Sequence, residues 1–64
     1  MIALTRTNGH PIVVNADLIE TVESADDGTT VVLLTSGNAL TVSEQPDAVR
    51  EAVVAFRRRI AGLG

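Results

Sequence analysis

The run Val31-Val32-Leu33-Leu34 constrains this chain more than any other stretch, because it leaves no polar residue on either side of a β-strand. Side chains alternate across a strand, so a continuous apolar run asks for cover on both faces. The chain has only 64 residues with which to provide that cover. A domain of this size buries roughly 60% of the surface its unfolded chain exposes. A second folding unit is therefore excluded, and residues 1–64 are read as one domain. There is no cysteine, which rules out disulfides and thiolate metal sites as staples. The apolar fraction is 45%, with one Phe and neither Tyr nor Trp, so the core must be aliphatic. That suits β-branched strands.

The remaining sequence divides at its turn residues. Met1 to Thr7 alternates, with Ile2 and Leu4 on one side and Ala3 and Thr5 on the other, and stops at Asn8-Gly9. Asn-Gly between two such runs predicts a type I′ hairpin with both residues at positive φ. Residues 10 to 14 then return, and Pro11, which cannot donate to a ladder, places them at an edge or turns its nitrogen toward solvent. Asn15-Ala16-Asp17 interrupts the pattern, Leu18 to Ser24 resumes it, and Asp26-Asp27-Gly28 turns the chain into Thr29 to Thr35. Ser36-Gly37 leads to a last strand within Asn38 to Val42.

Beyond Val42 the period changes. Val49, Val53, Phe56, Ile60 and Leu63 recur at spacings of three and four, which predicts an amphipathic helix over 46–61 facing the sheet. Ser43 is the expected cap, Pro46 fits the first turn, Glu44 and Asp47 complement the positive end, and Gly62 and Gly64 stop the helix. The fold class is α+β: a small antiparallel β-meander of about five short strands followed by one C-terminal helix. One helix covers one face of a sheet. The second face of Val31 to Leu34 therefore needs strong curvature toward a partial barrel, or another copy of the chain, and a homo-oligomer is expected.

Little here points to chemistry. His10 is the only histidine and sits beside Pro11 just past a turn, so no triad, dyad or zinc site of usual composition can be assembled. Among the carboxylates, Glu20 and Glu23 have opposite parity on a strand and do not converge as an acid/base pair. Asp26-Asp27-Gly28 lacks the spacing of a calcium loop, and Gly9, Gly28 and Gly37 are isolated, giving no cradle for a phosphate. No catalytic activity, cofactor or metal is expected. The net charge of -3 opposes nucleic-acid binding, and so does the lack of stacking aromatics. A small nucleic-acid-binding or regulatory β domain is the alternative to a protein-interaction module.

The run Arg57-Arg58-Arg59 is a contact for an acidic partner or anionic surface, or a set of cations favoured by the negative end of the helix dipole; the second reading is preferred. No stretch approaches the ~20 apolar residues of a membrane span, and Met1 to Arg6 lacks the order of a signal peptide. The expectation is a cytoplasmic protein and, since it starts at Met1 without a linker-like stretch, a complete gene product.

Two segments are more specific than any of these patterns. Leu4-Thr5-Arg6-Thr7-Asn8-Gly9 is followed by Asn15-Ala16-Asp17-Leu18-Ile19-Glu20-Thr21-Val22-Glu23, then Thr30 to Gly37, Val42 and Glu44. Together they resemble the FlbD family of small flagellar proteins, also called SwrD or swarming motility proteins, over essentially the whole chain. The resemblance implies a cytoplasmic protein with no activity or cofactor of its own. It also implies a role in motility, through a flagellar motor component at the inner face of the membrane, in support of motor torque. Within the matching positions Arg6, Glu20 and Glu23 are the candidate partner surface, with Arg57, Arg58 and Arg59 beside them. Asn8 and Asn15 have structural duties in turns, and a cross-strand pair of Arg6 with Glu20 or Glu23 would also be structural.

Overall fold

A computed structural model describes residues 1–63, with side chains described through Ala61. Five strands precede one helix: β1 (Ile2–Thr5), β2 (Pro11–Val14), β3 (Ile19–Ser24), β4 (Thr30–Leu34), β5 (Ala39–Val42) and α1 (Pro46–Leu63). The α+β reading holds, but the meander is split into a two-stranded sheet β1-β2 and a three-stranded sheet β3-β4-β5. The two meet at one corner. Arg6 bridges Val42, and the Ser43 N–H donates to the Thr5 carbonyl at 2.9 Å. Through that corner the strand order is β2-β1-β5-β4-β3, bent and open, with no pairing between β2 and β3 among the described residues. Pro11 lies on an edge strand, where its missing N–H costs nothing.

The first hairpin is not a type I′ turn. Arg6 N–H donates to the His10 carbonyl and Gly9 N–H to the Arg6 carbonyl, both at 2.8 Å, so the loop is the three residues Thr7-Asn8-Gly9. Such loops combine a type I turn with one left-handed residue. That residue is Gly9, at φ +91°, with no atom near the position of a Cβ; Asn8 keeps a negative φ. Asn8 contributes its carboxamide, whose Oδ1 accepts from His10 N–H at 3.0 Å. The same loop recurs at Asp26-Asp27-Gly28 and Thr35-Ser36-Gly37, with Asp27 accepting from Thr29 N–H and Ser36 from Asn38 N–H. A short acceptor before glycine thus closes all three hairpins.

Between β2 and β3 the chain makes one 3₁₀ turn, Ala16–Leu18, capped by Asn15, whose Oδ1 accepts from Asp17 N–H at 3.0 Å. β3 then pairs with β4 through an irregularity: Ile19 faces Leu34, and Thr21 faces Leu33, leaving Glu20 as an extra residue. The bulge resolves the parity of this strand. Ile19 and Val22, which a regular strand would point opposite ways, both pack against the core. It also removes the parity that set Glu20 and Glu23 on opposite faces.

The core consists of Ile2, Leu4, Val14, Ala16, Val32, Leu40, Val42 and Val49. Ala52, Val53 and Phe56 pack against it from α1, each half-buried. Ile60, expected to face the sheet, is 53% exposed, because α1 runs beyond the sheets it covers. The helix also passes through Gly62 rather than stopping there; Gly64 lies outside the described residues. Leu63 belongs to the helix, and whether its side chain joins the apolar stripe lies outside what is described.

The joint between β5 and α1 is built on Glu44 rather than on Ser43. Ser43 turns back to β1, and α1 begins at Pro46 with Val49 N–H donating to the Gln45 carbonyl. Glu44 Oε1 accepts the Thr5 N–H at 2.9 Å, while its carbonyl accepts the hydroxyl of Thr30 at 2.5 Å. Thr30 is the one fully buried polar side chain among the described residues, and this bond satisfies it. One residue thereby ties β1, β4 and the helix start together.

Candidate functional site

The structure separates the expected partner residues into three places. Arg6 is exposed at the corner between the sheets. Glu20 is exposed at the bulge of the edge strand β3, and Glu23, also exposed, lies opposite Val31. Arg57, Arg58 and Arg59 are exposed near the far end of α1, but no basic residue stands in its last turn, so the dipole reading of that run does not hold. The ion pairs among the described residues are Arg50–Glu51 and Arg57–Asp17, each at 3.7 Å between exposed groups and therefore worth little stability. Arg6 is in neither. It does not meet Glu20 or Glu23, since β1 and β3 are separated by β5 and β4 in the strand order.

What Arg6 does meet is a cleft. Where the β1-β2 hairpin diverges from the three-stranded sheet, a space of about 390 Å³ opens. Ile12, Val13 and Val14 line it from β2, Leu18 from the 3₁₀ turn, and Leu34 and Leu40 from the sheet, with Arg6, Asn15, Asn38 and Ala39 completing it. Val13 remains 64% exposed and Leu18 45% exposed. Sequence reasoning missed both: Val13 reads as an ordinary alternating residue and Leu18 as the start of a strand. The Asn15 cap was the available signal that Leu18 belongs to a turn.

A second apolar surface lies on the three-stranded sheet. Thr30 and Val32 are fully buried, whereas Val31 and Leu33 alternate to the other face, half-buried and outside the core cluster. Register fixes their neighbours as two cross-strand rows, Glu23-Val31-Thr41 and Thr21-Leu33-Ala39.

Arg6 is the charged residue of the cleft lining. No group of three or more His, Cys, Asp or Glu side chains that could hold a metal occurs among the described residues. No helix among them is long and apolar enough to cross a membrane.

Residues 1–61 match the sequence profile of FlbD, described as flagellar and swarming motility proteins. No curated protein and no solved structure shows significant similarity to the chain.

Proposed function

The chain belongs to the FlbD family of flagellar and swarming motility proteins, and on that premise we propose that it is a non-enzymatic adaptor that acts by binding a component of the flagellar motor and supports torque. The family match over residues 1–61 carries this reading. The lining of the cleft supports it: aliphatic side chains lie beside the polar side chains of Arg6, Asn15 and Asn38, which is contact area for another protein. An adaptor of this kind works in the cytoplasm, at the inner face of the membrane beside the motor. Copies of the chain also pair with one another through the uncovered face around Val31 and Leu33.

Clean deletion of the gene tests the function. Because an adaptor tunes a machine that other proteins build, swimming and swarming under viscous load should weaken while stained filaments remain assembled. Unchanged motility under load would falsify the reading.

A further inference from the structure

We propose that the cleft beside Arg6 holds the partner, and that it takes an extended peptide segment of another protein in which an aliphatic side chain lies within two residues of an Asp or Glu. This rests on the reading of the domain as an adaptor and adds the chemistry of what it adapts to.

Three observations converge on that ligand. The first is exposure: among the described residues the large apolar side chains left exposed are Met1, Val13, Leu18 and Ile60, and two of these four line this one cleft. A domain this small has every reason to bury such groups, so exposed aliphatic surface gathered in a concavity marks a contact site. The second is size, since about 390 Å³ falls within the roughly 300–1,000 Å³ of binding clefts, enough for a few side chains. The third is charge. The chain carries eight acidic residues and a net charge of -3, yet the sole charged residue on the cleft is Arg6. Its guanidinium has no ion-pair partner among the described residues. A guanidinium at the rim of an apolar surface, where water is partly displaced, is a fork for a planar carboxylate. Asn38 and the amide of Asn15, whose oxygen is already engaged by Asp17 N–H, add polar contacts suited to a peptide backbone. The complement of this set is an aliphatic side chain with a neighbouring acid.

Selection of a displayed heptapeptide library on the full chain tests the assignment. Enriched sequences should share an Asp or Glu within two residues of Leu, Ile or Val. The best sequence, synthesised with an amidated C-terminus so that only side-chain carboxylates remain, should shift the backbone amides of residues 12–15, 34 and 38–40. Replacing its acid by the amide should weaken binding at least tenfold, and Arg6→Gln should do the same while Arg58→Gln leaves it unchanged. Val13→Ser, at a site 64% exposed, provides a second variant that keeps the fold and should also weaken binding. An empty selection, a consensus without an acid, or shifts centred on Val31 and Leu33 or on Arg57 to Arg59 would overturn the proposal, as would a second copy of the chain competing for the same amides. Weakened motility on deletion together with an empty selection would overturn the cleft assignment alone. Unaffected motility with a clean acidic consensus would overturn the flagellar reading alone.

Discussion

Glu44 shows how much one residue can decide in a chain without disulfides. Its partial burial works to raise the pKa of its carboxyl, but hydrogen bonds from the Thr5 amide and hydroxyl outweigh that, and the net direction is down. An unfolded glutamate titrates near 4.3. The folded state thus binds the proton less readily than the unfolded chain. The stabilisation is fully present above about pH 4.3 and is lost as pH falls through the lower folded value. Glu44→Gln should therefore lower stability at pH 7 by on the order of 1 kcal/mol, the scale of a charge-assisted hydrogen bond weakened to a neutral one. Its melting temperature should converge on that of the parent as the pH is taken from 7 to 3. Asp27 is also shifted down, by the Thr29 hydroxyl and amide, but it is present in both proteins and cancels in the difference. Parallel curves across the range would show that the carboxylate does not hold the joint.

At the scale of elements, the helix is graded along its length. Val49 is fully buried, Val53 and Phe56 are half-buried, and Ile60 is 53% exposed. Val49→Ala should cost about 2 kcal/mol, two methyl groups at roughly 0.8 each plus a small cavity. A fully buried Phe would cost ~3–5 kcal/mol on truncation; half-buried Phe56 should cost nearer 2 kcal/mol, and Ile60→Ala less than about 0.5 kcal/mol. Chemical denaturation of the three variants checks the order, and an Ile60→Ala as costly as Val49→Ala would mean that the helix end is docked.

The same grading explains what could be read in advance. Glycine after a short acceptor marked all three hairpins, and the 3.6-residue period marked α1, because both signals are local. The length of the first loop was not legible, since Asn8-Gly9 suits two-residue and three-residue turns alike and the choice follows from the Arg6–His10 pairing. Nor was the bulge at Glu20, which exists so that Ile19 and Val22 can share a core that only the folded chain possesses. The cleft was still less accessible. Arg6 stood out as a polar residue that composition did not demand, but its apolar companions Val13, Leu18 and Leu34 come from three separate elements, brought together by the corner at Val42.

The whole molecule measures 40 × 22 × 19 Å with a radius of gyration of 11.7 Å. A compact chain of this length would have about 10.7 Å, and the excess reflects α1, whose 18 residues span about 27 Å and leave Arg57 to Ala61 exposed beyond the sheets. A helix laid along one side cannot also cover the other. The face carrying Val31 and Leu33 is half-buried and lies outside the core cluster, and the open sheet order shows that curvature did not close over it. Pairing of two copies through this face follows from the proposed self-association, and light scattering at micromolar concentration should then give more than one chain's mass. Leu33→Glu should return it to a monomer with the fold intact, because Leu33 makes no contribution to the core cluster. Glu23 lies in the same rows and each copy carries a net charge of -3, so like charges oppose the pair. Raising the ionic strength from 0.01 to 0.15 M, which shortens the screening length from about 30 to about 8 Å, should therefore strengthen association. A mass of one chain throughout that range, up to millimolar protein, would overturn the pairing of copies through this face.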